Sequence, residues 1–319
     1  MQVGVIGCGQ WGMNIVRNLS EMGCLKAVCD KAADRREFAQ MQYPKAEAVG
    51  DYEIVLKDKG IDAVAVATNA ASHHTIAKDA LKAGKDVFVE KPMAIGVPDA
   101  KELVALAEEK KRILMTGHLL LYTEALKELK ELMPELGDLL YVHAQRMGFS
   151  DPREDVSVIW DLAVHEVSAL LYLLGTEPSR VKAYGHDFSA NGVKDFVSLK
   201  MLFPGHVAAH VDITWWYPQK VRRMVVAGKK AMAIWDDQEA EYKLQMHKKW
   251  VEDGTKARLG RVSLISVPSC EPLRKELQHF IECCEKRKPP LTDGRNGLAV
   301  TEVLAAAERS LYRQEWQIV

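Results

Sequence analysis

An excess of charge of either sign is missing from this chain: 43 basic and 44 acidic side chains leave a formal net charge of −1 over 319 residues. Such a balance offers no electrostatic footprint for a nucleic acid or an anionic membrane surface, and neither partner is expected. Cysteine is sparse. Cys8, Cys24, Cys29, Cys270, Cys283 and Cys284 form no C-x-x-C pair, which argues against a zinc ribbon or a disulfide framework and suits free thiols in a reducing cytoplasm. No apolar run reaches the roughly 18 residues needed to span a bilayer. No basic stretch followed by an apolar signal segment opens the chain, so the expected location is cytoplasmic. Internal repeats, low-complexity segments, a Walker lysine loop, a G-x-S-x-G elbow and an H-E-x-x-H helix are all lacking. His73 and His74 are adjacent, so their side chains diverge, and His143 and His210 stand alone on strand-like segments; no metal site is expected.

What is present is an ordinary globular composition, 48% hydrophobic and 27% charged, whose first 117 residues alternate between strand and helix periods. Val3 to Ile6, Leu25 to Cys29, Ile61 to Ala67, Asp86 to Val89 and Ile113 to Thr116 read as strands. Residues 10–22, 32–42, 72–83 and 98–111 read as helices. This alternation predicts an α/β domain over 1–118, a doubly wound parallel sheet of Rossmann type. From 119 to 319 the pattern changes. Helices are expected at 122–133, 156–174, 271–286 and 295–313. Strands are expected at 139–147, 179–188, 193–203, 206–214, 220–228 and 231–236, with hairpin signals at Asn191-Gly192 and Pro204-Gly205. The polar stretch 247–262 reads as a loop. The second domain is thus expected to be α+β with an open, largely antiparallel sheet, whose apolar open face pairs copies into a homodimer or homotetramer.

Gly7-Cys8-Gly9-Gln10-Trp11-Gly12 matches G-x-G-x-x-G with a strand before it and an amphipathic helix after it. The first glycine allows the tight turn, the second lets a pyrophosphate approach the backbone, and the third lets helix and strand pack closely. The helix N-terminus, through Gln10, Trp11, Gly12 and Met13, then offers N–H groups and partial positive charge to phosphates. Asp30 ends the next strand, where a carboxylate accepts from both ribose hydroxyls and repels a 2′-phosphate. NAD is favoured over NADP, with Lys31 and Arg35 close enough in sequence to soften that preference. Asp30 also suits a helix N-cap, and the two roles are compatible. Glu90-Lys91-Pro92 places a lysine at the carboxyl end of a strand, where doubly wound sheets bind their ligands.

Several segments together carry a resemblance. GCGQWG at 7–12, ATNAASHH at 67–74, EKP at 90–92, GH at 117–118, WDLAVHEVSALLYLLG at 160–175, EPLRKELQHF at 271–280 and PPLTDGRNGL at 289–298 resemble, in order, the glucose–fructose oxidoreductase / inositol dehydrogenase / rhizopine-catabolism (Gfo/Idh/MocA) family of sugar dehydrogenases. The resemblance implies an NAD(P)-dependent dehydrogenase acting on a secondary hydroxyl of a sugar, polyol or nucleotide sugar. In that light Lys91 stands between nicotinamide and substrate, where a fixed cation favours a developing alkoxide. Thr68, Asn69 and His73 match the loop on the adenosine–pyrophosphate side, although the family often has proline where Asn69 stands. Glu90 and His118 join the cofactor set, and Trp160 joins the substrate set.

Asp161 and His165, spaced i, i+4, share one face of the expected helix. An imidazole titrates near neutrality and suits removal of the hydroxyl proton, while Asp161 orients it or contacts the sugar. The family often carries an acid three residues beyond the histidine. Here that position is Ser168, and the nearby acid is Glu166. His118 either lines the site or sits at the domain junction. Arg146 either binds an anionic substrate group or lies on a solvated face. Lys220, Arg222 and Arg223, after Trp215 and Trp216, suit either a nucleotide-sugar diphosphate or a subunit interface. VIWDLAVHEVSALLYLLG at 158–175 and PLTDGRNGL at 290–298 look most like the branch that oxidises the 3-hydroxyl of UDP-activated amino sugars. An NAD-retaining glycoside hydrolase or lyase and a non-catalytic NAD-sensing regulator are the alternatives.

Overall fold

A computed structural model describes residues 1–319 except 152, 154, 155, 191 and 253–255. In chain order its elements begin with β1 (Val3–Ile6), α1 (Gln10–Glu21), β2 (Leu25–Cys29), α2 (Ala33–Gln42), β3 (Glu47–Val49) and α3 (Tyr52–Lys57). There follow β4 (Ala63–Val66), α4 (Ala70–Lys82), β5 (Asp86–Glu90), α5 (Val97–Lys110), β6 (Leu114–Gly117) and α6 (Glu124–Leu136). Next come β7 (Leu139–Phe149), α7 (Val164–Leu174), β8 (Arg180–His186), β9 (Phe196–Leu202), β10 (Ala208–Thr214), β11 (Trp216–Gly228) and β12 (Ala231–Asp236). The chain ends with β13 (Leu244–Glu252), β14 (Lys256–Ile265), α8 (Pro272–Lys286), α9 (Gly294–Arg313) and β15 (Gln317–Ile318). Two compact units emerge, 1–119 with 271–301 and 120–270 with 302–319. The segment holding α8 therefore belongs with the N-terminal unit, whereas the sequence reading draws one boundary at 118/119.

In the first unit the strand order is β3-β2-β1-β4-β5-β6, and every neighbouring pair is parallel. All residues of β1 and β4 are buried, which their unbroken apolar runs predict for strands covered on both faces. The order reverses between β1 and β4, and a ligand crevice opens beyond the carboxyl ends of such strands. α1 buries Ile15, Val16 and Leu19, the apolar stripe of its sequence. β3 and α3 have no counterpart in the sequence reading. β3 is a three-residue edge strand with no fully buried residue, and α3 is only six residues long, so neither shows a resolvable period.

The second unit contains a sheet of order β14-β13-β12-β11-β7-β10-β9-β8-β15. Its pairs are antiparallel except β7 with β10, which run parallel, so the sheet is mixed. Pro204-Gly205 does turn β9 into its antiparallel neighbour β10, while Asn191 lies outside the described residues. Stretch 247–262 is not a loop: most of it forms β13 and β14, paired antiparallel, whose polar residues conceal the strand period. The expected helix 156–174 is shorter, with one turn of π-helix (Ile159–Ala163) leading into α7. Along the less buried face the register sets Lys182 opposite Lys200, Lys200 opposite His210, and His210 opposite His143. That stretch is polar and brings together two histidines far apart in sequence, and beyond His143 the row continues into Val225 of β11 and Ile234 of β12. No described helix is long and apolar enough to cross a membrane.

Candidate active site

In the first unit the turn after β1 leaves its main chain bare. Gly7 has φ +101°, a conformation that L side chains rarely adopt, and a Cβ on Gly12 would overlap the Gly7 carbonyl oxygen. Gly9 caps α1 without a side-chain hydrogen bond, so no side chain occupies the place where an anion would meet the first-turn N–H groups of Gln10, Trp11 and Gly12. The Met13 amide makes the first helical bond, 3.0 Å to Gly9 O. A pyrophosphate fits this bare turn.

Asp30 is tied to the same turn. The Cys8 amide donates to its Oδ2 at 2.8 Å and the Ala32 amide to its Oδ1 at 2.9 Å, while Arg35 Nη1 stands 3.6 Å from Oδ2. The carboxylate is thus fixed at the end of β2, with lone pairs left for ribose hydroxyls. α2 begins at Ala33 with Ala32 as its N-cap residue, so Asp30 braces the turn before the helix.

At the end of β5, Glu90 is buried, and its Oε1 accepts the Trp11 indole N–H at 2.5 Å. Its Oε2 accepts the Lys91 amide at 3.2 Å. Burial pushes the Glu90 carboxyl up, while the Trp11 hydrogen bond, the Lys91 charge and the Lys91 amide pull it back. The Lys91–Pro92 peptide is cis. His73 is buried, with Nδ1 2.8 Å from Pro92 O and Nε2 3.1 Å from Thr68 O, so it braces the start of α4 against the turn after Lys91. Asn69 occupies the N-cap position of α4, and Ser72 Oγ lies 2.8 Å from Thr68 Oγ1 and 2.5 Å from Asn69 Oδ1. His118, after β6, is 1% exposed, with Nδ1 2.8 Å from Asn296 Oδ1. Burial, with a smaller contribution from Lys91 and against the Asn296 hydrogen bond, lowers its pKa to about 4, so the ring is neutral at physiological pH.

In the second unit Asp161 stands in the π turn, where the hydrogen-bond spacing differs from that of the regular α-helix assumed for the i, i+4 face. Its Oδ2 accepts the Trp215 indole N–H at 3.0 Å, and Arg153 Nη1 is 3.8 Å from Oδ1. Half-buried His165 follows in the first turn of α7, and its carbonyl accepts the Ser168 hydroxyl at 2.8 Å. Trp160 is buried in the core. Arg146 is not on a solvated face. It forms a 2.6 Å ion pair with Glu166, the two side chains being 11% and 4% exposed. Opposite Arg146 on β11 is Arg222, whose Nη1 donates to Met147 O and Val221 O, both at 2.7 Å. Burial, and next the Arg146 charge, lower its pKa to about 10. Lys220 and Arg223 are exposed.

Two participants escaped the sequence reading. Trp215 holds Asp161 across 54 positions, a pairing no local pattern reveals. Glu276 does leave a signal: it sits on the apolar stripe of α8 with Leu273, Leu277 and Phe280, where an acid is out of place.

A parallel sheet ordered 3-2-1-4-5-6, with a bare glycine turn and a fixed acid after its second strand, defines a dinucleotide-binding protein. Comparison with known proteins makes the assignment specific. The family model described as "Oxidoreductase family, NAD-binding Rossmann fold" matches residues 1–118, and the "GFO/IDH/MocA C-terminal domain" matches 127–234. The chain belongs to the Gfo/Idh/MocA family of NAD-binding oxidoreductases. It is 26% identical over 313 residues to UDP-N-acetylglucosamine 3-dehydrogenase of Acidithiobacillus ferrooxidans, covering 96% of this chain and 95% of that one. Inositol 2-dehydrogenase of Salmonella typhimurium is 29% identical over 194 residues, 58% of this chain and 57% of the relative. A solved structure of the Acidithiobacillus enzyme superposes with a TM-score of 0.88 at 23% identity, covering 98% of both chains, which shows the shared fold. The chain is accordingly an NAD-dependent oxidoreductase of the dehydrogenase type.

Proposed function

We propose that this enzyme moves a hydride between nicotinamide and a secondary ring hydroxyl of a nucleotide sugar, the 3-hydroxyl of a UDP-activated amino sugar. The substrate class draws on the match to UDP-N-acetylglucosamine 3-dehydrogenase, which runs through both units at 26% identity over 313 residues, against 24% over 330 residues for the myo-inositol 2-dehydrogenase of Thermotoga maritima, which also spans both. Bound NAD supplies the hydride acceptor. Gly7, Gly9, Gln10, Trp11, Gly12 and Met13 form the pyrophosphate turn, and Asp30 selects NAD over NADP with Arg35 beside it. Thr68, Asn69, His73, Glu90 and His118 shape the remaining cofactor surface.

In the proposed chemistry His165 takes the hydroxyl proton. Asp161, held by Trp215, supports the charged imidazole, and the Lys91 ammonium favours the developing negative charge on oxygen. Trp160 and the Arg146–Glu166 pair support the substrate wall. Copies associate through the mixed sheet as a homodimer or homotetramer, in the cytoplasm.

The test is a panel of UDP-N-acetylglucosamine, N-acetylglucosamine and myo-inositol with NAD, read by NADH absorbance. Oxidation of the UDP-sugar alone is expected. Activity on free polyols alone overturns the nucleotide-sugar reading. Product without net NADH points to a hydrolase or lyase that retains its cofactor.

A further inference from the structure

Helix α8 runs along β5 in the first unit, and its contacts register residue by residue. Arg287, the residue after α8, binds Asp86 at 2.6 Å through Nη1. Phe280 packs edge-on against Phe88 with ring centroids 5.8 Å apart. One step further along both elements, Glu276 comes within electrostatic range of Glu90. Asp86, Phe88 and Glu90 alternate along β5 and so share one face.

Glu276 is 0% exposed, and neither of its carboxyl oxygens has a hydrogen-bond partner. An ionised carboxylate in that position would be strongly disfavoured. Arg17 on α1 binds Glu271 and Glu21, and Arg287 binds Asp86. Burial first, and the Glu90 charge second, push Glu276 well above the usual carboxylate range. Glu90 is better placed to carry charge, because it accepts two N–H groups and lies beside the Lys91 ammonium.

We propose that Glu276 is a positioning residue for the cofactor site: the two buried carboxyls of Glu90 and Glu276 hold one proton between them, Glu276 keeps it, and the single negative charge stands on Glu90, where it grips Trp11 and the Lys91 turn. A neutral carboxylic acid supports the adjacent carboxylate through its dipole without adding a second charge. The inference rests on the NAD-binding reading and is independent of which sugar is oxidised.

The experiment uses the full chain. Infrared difference spectra of the cofactor-free protein at neutral pH should show the carbonyl band of a protonated carboxylic acid, lost in Glu276→Gln. NAD affinity, measured by calorimetry across pH, should fall on the acid side as Glu90 takes up a proton. Glu276→Leu removes the dipole and should move that fall upward by about one pH unit. Glu276→Gln, which restores a polar neutral group, should move it back. Absence of the band, or its persistence in Glu276→Gln, overturns the proposal. So does an acid-side profile of Glu276→Leu that coincides with the wild type, or one that Gln fails to restore. If Glu276→Leu does not fold, the infrared comparison with Glu276→Gln still decides.

Discussion

The Trp11 indole N–H donates to Glu90 Oε1 at 2.5 Å, tying the phosphate turn after β1 to the strand end that carries Lys91. A hydrogen bond to a charged group is worth roughly 1.5–3 kcal/mol. Trp11→Phe keeps the ring and deletes the donor. Its dissociation constant for NAD, measured by calorimetry, should rise about tenfold or more, since each 1.4 kcal/mol is a factor of about ten. Unchanged affinity would mean that the turn holds its shape without this bond.

His118 makes stability depend on pH. Its pKa is lowered from 6.5 to about 4 in the folded chain, chiefly by burial. Between those values the unfolded chain binds the proton and the folded chain does not, so stability rises with pH. The contribution is complete above about pH 6.5 and is progressively lost as pH falls towards 4. The full span amounts to roughly 3 kcal/mol. Urea denaturation of wild type and His118→Asn across that window should show a steeper acid-side loss in the wild type. Parallel curves would contradict the depressed pKa.

The ion pair between Arg146 and Glu166 lies under the sheet with little exposure. Removing one partner strands a buried charge, which typically costs about 3–5 kcal/mol, whereas replacing both by apolar groups is often close to neutral. Glu166→Ala should therefore lower the unfolding free energy by about 3 kcal/mol, and Arg146→Met with Glu166→Leu should recover most of that. Chemical denaturation decides. Equal destabilisation by the single and double changes would show that the pair is attractive beyond the cost of its burial.

Much of this architecture was legible because burial on both faces writes itself into sequence. Val3 to Ile6 and Ala63 to Val66 are apolar without interruption, and the Gly7–Gly12 spacing names the turn from the first of them into α1. Strands exposed on one face or lying at an edge write less: β13 and β14 are rich in lysine and arginine, and their pairing stems from backbone register. The return of 271–301 to the first unit was invisible because an apolar stripe states that a helix is buried, without naming its partner. Arg146 illustrates the same limit. A lone arginine on a strand suits an anion or solvent equally well, until Glu166, twenty positions later, is brought against it.

In the proposed mechanism the Lys91 ammonium acts in the chemistry and not in holding the cofactor. The Lys91 amide donates to Glu90 Oε2 at 3.2 Å, a main-chain contact that survives truncation of the side chain. The pyrophosphate turn and Asp30 lie elsewhere in sequence and are braced by their own hydrogen bonds. Lys91→Ala should accordingly leave NAD affinity within about twofold while lowering kcat by roughly 10²–10³-fold, the loss typical when one group stabilising a developing oxyanion is removed. Calorimetry gives the first quantity and NADH formation the second. If affinity and turnover fall together, the ammonium serves to bind the dinucleotide. If neither changes, the charge that favours alkoxide formation must come from another residue.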